Sequence, residues 1–399
     1  MLVLLALLLT DPPTPTPPAN PLAALYPADR PIVVPLWTRV GDFSTRLRSI
    51  EAAEFSPDGT LVVSGAKFGY DVILWRVVDG TVVWRQQHES EVECVCFSPD
   101  GRRIATGGED FQVRVWDTAT GEQLAAIEHP RGIDAIAWHG TTLAAGDEAG
   151  TLHLHETTAD DPAAWSSRQV ATGDTINSIA FTADGSQIVV GGNLQQVETD
   201  AAGPVRHFDG FARAIDAATL ETVAEYGPLV SGIAPNGRMR SGSIKSVAIS
   251  PDGSTVAVGG FGRSVQTFDR LTGQLRRTIR LDQRIEAVAF TPGGHYLVAG
   301  GHEPALLFYR TAELDQAGDP DAPIEPAAAV PCVRVEYIDF TTDGRLMVTS
   351  HEDSGLLRVF LLASDLQRRT GPRSGGGSLY DRLSRQQLDN RDLQPASTD

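Results

Sequence analysis

Residues 88–121 read HESEVECVCFSPDGRRIATGGEDFQVRVWDTATG, and this stretch decides the architecture. Val92, Cys94 and Cys96 alternate with Glu93, Val95 and Phe97, a short apolar and β-branched run that suits a strand buried on both faces. Ser98-Pro99-Asp100-Gly101 ends it, since Pro99 presets φ for a tight turn and Gly101 follows without steric cost. Ile104 to Thr106 reads as the returning strand, Gly107 to Asp110 as the next turn, and Val113 to Trp116 as a third strand. Asp117 to Gly121 turns again, and Gln123 to Ile127 supplies a fourth strand. The product is a four-stranded antiparallel sheet, apolar on both faces, which cannot stand alone in water.

The turn recurs along the chain. It reads Phe55-Ser-Pro-Asp-Gly59, Phe97-Ser-Pro-Asp-Gly101, Trp138-His-Gly140, Phe181-Thr-Ala-Asp-Gly185, Ile249-Ser-Pro-Asp-Gly253, Phe290-Thr-Pro-Gly-Gly294 and Phe340-Thr-Thr-Asp-Gly344. Successive first residues differ by 42, 41, 43, 68, 41 and 50, a basal period near 41 with two expansions. A period of this size marks propeller blades.

The unit resembles a WD repeat, with Trp116-Asp117 as the dipeptide that names that family. The resemblance implies an all-β, seven-bladed β-propeller of four-stranded antiparallel blades. It also implies a hydrogen-bonded structural tetrad of His88, Thr106, Asp110 and Trp116, holding the blade and doing no chemistry. The dipeptide decays elsewhere, to Trp75-Arg76, His155-Glu156, Ile215-Asp216, Phe268-Asp269, Tyr309-Arg310 and Phe360-Leu361. Ala145 and Ala149 stand at the Ser/Thr and Asp positions of the third unit, so the full tetrad is confined to the second. Glycine pairs at 107–108, 191–192, 259–260 and 300–301 would also suit a kelch-like propeller, but the Phe-Ser-Pro-Asp-Gly turns argue against it.

The last unit supplies strands near Val335–Phe340, Leu346–Thr349 and Leu356–Leu361 and lacks a fourth, whereas Ile32 to Val40 is an orphan strand upstream of the first unit. Pairing the two would close the ring and remove an edge that invites aggregation. Pro35 fits an outermost strand, where a missing N–H costs little. The domain reading is then 1–30 as an apolar segment and Pro-rich linker, 31–363 as the propeller, and 364–399 as a polar, disordered tail jointed at Ser374–Ser378.

A formal net charge of −18 repels nucleic acid and anionic membrane. The run Met1 to Thr10 is too short to span a bilayer but resembles the core of a secretory signal peptide. It predicts export to the periplasm or the extracellular space, with a cytoplasmic location as the alternative. Cys94, Cys96 and Cys332 have no metal-type spacing and read as buried small apolar residues.

Function in a repeat protein lives in what is added to the repeat. Two additions fall close together, at Asn193–Ala212 within the fourth unit and at Gly227–Ser243 before the fifth. Both loop classes of the resembled family emerge on the top rim. The predicted partner-binding patch therefore lies over blades four and five and carries Arg206, His207, Phe208, Phe211, Arg213, Arg238, Met239 and Arg240. Arginine and aromatic residues of this kind suit a protein or peptide partner with acidic groups. The plainer reading is loops folded over the rim to cover it.

On the same rim, His302-Glu303 and His351-Glu352-Asp353 come from neighbouring units; a divalent metal between them is outweighed by simple solvation. The insertion Ala312–Pro323, with Asp315, Asp319 and Asp321, lacks the order of a calcium loop and reads as an acidic surface loop. No nucleophile elbow, phosphate-binding glycine loop or zinc-protease helix occurs. The sequence predicts a non-catalytic scaffold without cofactor or metal. The alternative is a hydrolase-like propeller enzyme using His302, His351 and nearby carboxylates, recognisable by perturbed titratable groups converging on one concave mouth.

Overall fold

The computed structural model describes residues 33–40, 49–158, 164–200, 203–227, 229, 232–233, 239–315, 318–332, 334–352 and 354–362. The segment 1–30, the tail 364–399, Arg238 and Asp353 lie outside the described residues.

The chain forms seven sheets arranged as a seven-bladed β-propeller, each blade antiparallel, with one extra parallel pairing in the fourth. Blade one is built from Ile50–Phe55, Leu61–Ala66, Asp71–Arg76 and Val82–Gln87, and blade two from Val92–Phe97, Arg103–Gly108, Gln112–Asp117 and Gln123–Glu128. Blades three to seven open at Ile133–His139, Thr175–Phe181, Ile244–Ile249, Ile285–Phe290 and Val335–Phe340. Each of these first strands touches the next around the ring, and the seventh touches the first.

The turns do what their residues dictate. Ser98 Oγ donates to Asp100 Oδ1 at 2.6 Å while Gly101 sits at φ 69°, a left-handed conformation that costs glycine nothing. Ser56 with Asp58, Thr182 with Asp184 and Ser250 with Asp252 repeat the contact at 2.6 Å, which is why the motif kept its register while the Trp-Asp dipeptide decayed.

Apolar burial lies between blades. One cluster joins Ala52, Val63, Val72 and Leu74 of blade one to Val92, Val95, Phe97 and Ile104 of blade two. The innermost edge of each sheet has unpaired amides, and neighbouring side chains take up several of them. Asp339 accepts from the Phe55 amide at 2.8 Å, Glu54 from that of Phe97 at 2.9 Å, and Ser178 and Ser246 from those of Val247 and Val288 at 3.0 Å.

The ring closes as the sequence suggested. Val33–Val40 pairs antiparallel with Leu356–Leu362 as the outer strand of blade seven, with a register shift between Pro35 and Trp37. Trp37 Nε1 donates to the Val77 carbonyl at 2.6 Å and Arg39 Nε to that of Gly80 at 2.8 Å, so this strand also grips blade one.

One turn assignment is corrected. Gly107 and Gly108 belong to the strand Arg103–Gly108 rather than to the turn after it. A Cβ at Gly108 would lie 1.9 Å from the Glu91 carbonyl oxygen, and Gly192 and Gly260 stand equally close to Thr175 and Ser243, at 1.8 and 2.1 Å. The glycine pairs thus serve close backbone approach. Gly108→Ala is expected to destabilise by about 3 kcal/mol, because only backbone can yield there. An unchanged urea midpoint would contradict that packing.

Candidate functional site

The seven first strands share a defect at one position. In each, the pairing with the second strand slips by one residue, and the residue left over is Glu51, Glu93, Asp134, Asn177, Lys245, Glu286 or Glu336. A bulge re-aims the side chain it releases. All seven line one central cavity of about 320 Å³, together with Lys67, Glu109 and Glu148. Five of the seven positions are carboxylates, against one amide and one ammonium.

Like charges gathered under partial burial disfavour ionisation. Burial, and behind it Glu51, pushes Glu93 up to about 8. Burial pushes Asp134 up to about 7 and, with Glu286, Glu51 and Glu352 behind it, Glu336 up to about 9. Two of the cations at the cavity are paired with carboxylates, while Lys245 Nζ lies 5.8 Å from the Phe261 ring centre. Lys67 Nζ lies 3.2 Å from Glu91 and 3.6 Å from Glu93; burial would lower its pKa, but Glu93, Glu51 and Glu91 together raise it. Arg284 Nε lies 2.7 Å from Glu286 Oε1, and its guanidinium stacks 4.9 Å from the Phe261 ring centre.

Only one member of each His-Glu pair meets the other. His302 Nε2 lies 3.2 Å from Glu352, but His351 is buried against Thr349 Oγ1 at 2.8 Å and Cys332 Sγ at 3.7 Å, and Glu303 is buried and accepts from the Gln283 amide at 2.7 Å. Two other groups could hold a cation by geometry, Glu286 with His302 and Glu336, and Glu109 with Asp134 and Glu148, their ligand atoms within 4.8 Å of one another. Arg284 already neutralises part of the first. The acidic insertion carries a single helical turn, Thr311–Leu314, and Asp315 pairs with Arg276 at 2.8 Å.

In blade two, Trp116 Nε1 donates to Thr106 Oγ1 at 2.8 Å, and that hydroxyl lies 2.6 Å from His88 Nε2. His88 Nδ1 faces Asp110 Oδ2 at 3.0 Å, and Arg114 Nη2 reaches the same carboxylate at 2.9 Å. Every member is buried or half-buried and points into the blade, away from the channel residues. In blade three, Ala145 removes the bridging hydroxyl, and His129 Nε2 and His155 Nε2 are buried without a hydrogen-bond partner. Burial, with His153 behind it, lowers His129 to about 3 and His155 to about 4. Sequence reading missed Asp147, which is fully buried 3.0 Å from His153 Nε2.

The first insertion belongs to two long strands rather than a loop, and the described part of the second contributes two short ones, Gly232–Ile233 and Met239–Ser241. Gln187–Asp200 and Gly203–Asp216 form one long hairpin, and the short strand Met239–Ser241 lies parallel to it, placing Arg206 beside Met239, His207 beside Arg240 and Phe208 beside Ser241. His207 and Phe208 are half-buried, while Arg206, Met239 and Arg240 are described only in backbone. Phe211 and Arg213 are corrected. Phe211 is 5% exposed and packs in the core between blades three and four, a bulky ring that Gly173 makes room for. Arg213 is spent internally, donating to the Thr172 carbonyl at 2.6 Å and pairing with Glu225 at 3.2 Å. No helix among the described residues is long and apolar enough to cross a membrane.

The model of the WD domain, G-beta repeat, matches residues 80–117 and 235–269, the second and fifth blades. The chain is 27% identical over 206 residues to telomerase protein component 1 of Mus musculus, covering 47% of this chain and 8% of that protein. It is 27% identical over 165 residues to the intraflagellar transport protein 122 homolog of Xenopus tropicalis (40% of this chain, 13% of that protein). Over 55 residues it is 46% identical to WD repeat-containing protein 1 of Mus musculus (13% and 9%). The chain thus spans a small part of these relatives' length. The chain is thus a seven-bladed β-propeller that carries WD-repeat matches at two of its blades and is similar to WD-repeat proteins.

Proposed function

We propose that the chain is a non-catalytic scaffold that takes a protein or peptide segment across its top rim. The channel mouth receives cationic side chains of that segment, and the hairpin over blades four and five, with Arg206, Arg238 and Arg240, receives its acidic ones. The observation that carries this reading is the bulge at one position of all seven blades, turning five carboxylates into one cavity. Burying mutually repelling carboxylates opposes folding, so a fold needing only stability would not repeat it. Nucleic acid, itself anionic, is not the partner in this reading.

Peptides mixing Lys or Arg with Glu are expected to bind the wild type with an affinity that falls as salt rises. At pH 9, where these carboxyls give up their protons, binding should weaken about tenfold in a variant carrying Glu93→Gln, Asp134→Asn and Glu336→Gln, and again in one carrying alanine at Arg206, Arg238 and Arg240. Equal affinity across all three proteins would sink the proposal. The raised carboxylates around one mouth also favour the hydrolase-like reading. It would prevail if mass spectrometry found bound peptides cleaved by the wild type and intact with the amide variant. The apolar segment Met1–Thr10 supports export, which N-terminal sequencing of the mature protein checks.

A further inference from the structure

The long hairpin is finished on one side and bare on the other. Its two strands pair without a register shift from Gln187 opposite Asp216 to Asp200 opposite Gly203. The side belonging to Gly203–Asp216 is covered at Arg206, His207 and Phe208 by Met239–Ser241, and farther out Pro204 has no amide to offer. The other side is covered by the first strand of blade four only as far as Asn193. Beyond it, seven residues from Leu194 to Asp200 extend the strand by about 20 Å with no strand beside them among the described residues.

Which backbone groups face outward follows from the alternation. The Asn193 carbonyl accepts from the Asp174 amide at 3.2 Å, and the Gln195 amide donates to the Asp174 carboxylate. Odd-numbered residues therefore turn their amides and carbonyls away from the hairpin. Asp174 caps the first amide in the row. Val197 and Thr199 come next, and Val197 is 56% exposed. An edge protected against pairing carries a bulge, a proline or charges, lysine above all, and the charges here, Glu198 and Asp200, are carboxylates that an uncharged partner residue can face. The stretch Leu-Gln-Gln-Val-Glu-Thr-Asp has no bulge, proline or lysine.

We propose that this edge pairs antiparallel with the same edge of a second copy, about a two-fold axis through Val197. The sequence is self-complementary in that register. Val197 stands opposite the second copy's Val197, Gln195 opposite its Thr199, Gln196 opposite its Glu198, and Leu194 opposite its Asp200. No carboxylate faces a carboxylate, whereas a one-residue slip would destroy this match. Val197 amides and carbonyls exchange hydrogen bonds across the axis, and each Thr199 amide finds the other copy's Gln195 carbonyl. The Gln195 amides stay with Asp174. Such a short ladder makes a weak dimer, opposed by a net charge of −18 on each copy, so it strengthens as salt rises. Pairing in this way is independent of what the channel mouth binds.

Sedimentation velocity on the full chain, from micromolar to roughly millimolar protein and at low and high salt, tests this. Wild type is expected to dimerise reversibly, and more at high salt. Val197→Lys sets two ammonium groups on the axis, and Val197→Pro removes the outward amide while leaving the hairpin's internal pairing. Each should weaken dimerisation about tenfold or more with unchanged far-ultraviolet circular dichroism, and Val197→Thr should not. A wild type that stays monomeric throughout, or a dimer indifferent to both Lys and Pro, would overturn the proposal.

Discussion

Replacing Glu93, Asp134 and Glu336 together by their amides is expected to raise the unfolding free energy by about 3 kcal/mol at pH 9 and by nothing measurable near pH 4. All three carboxyls are held above their ordinary range, at about 8, 7 and 9, by burial among like charges. A raised group stabilises the fold fully below its unfolded pKa and loses that contribution as pH climbs through the folded value. Stability of the wild type should therefore fall from about pH 5 to pH 9. The three share one repulsion, so neutralising one relieves the others and their separate effects do not add.

Blade three works in the opposite sense. His129 and His155 are lowered to about 3 and 4 by burial, so they stabilise above the unfolded histidine value and lose that contribution as pH falls through the folded ones. Together the two sets place maximum stability at about pH 5–6. Urea denaturation across pH checks this. A profile flat or rising from pH 6 to pH 9 would rule out a buried acidic ring.

Trp37→Ala should cost about 3–5 kcal/mol, although the residue lies in the first strand of the propeller and forms part of no repeat motif. Trp37 is buried with Val348, Leu357 and Val359 of blade seven and Ile50, Phe55 and Val77 of blade one, and its indole donates to Val77. Removing it empties the seam where the ring is joined. Deleting 33–40 should do more, baring the edge of Leu356–Leu362 to edge-to-edge aggregation. Thermal denaturation and light scattering would show it, and a deletion as stable and soluble as wild type would mean the closing strand carries no energy.

The blade count, the turns and the closing strand were legible because each rests on local chemistry: a Ser-Pro-Asp-Gly turn, an apolar run, a proline on an outer edge. The carboxylate ring was not. Glu93 sits in an alternating run where it reads as one face of a strand, and only the slip between Val92 and Cys94 turns it into the channel. Phe211 and Arg213 were misplaced for a related reason, since residues in an insertion read as surface until the hairpin register sets them against blade three. His351 and Glu303 show the limit of composition, because His-Glu pairs at turns look solvated until the Thr349 hydroxyl draws one side chain inward and the Gln283 amide the other.

Blade seven is assembled from both ends of the propeller, with residue 33 paired to residue 362. A ribosome releases the first of these long before it makes the second, so six blades must wait as an open arc while the closing strand dangles. Folding of the whole ring is thus tied to the synthesis of residues 356–362. A truncated product, however many intact repeats it holds, stays unlatched and exposed to proteases.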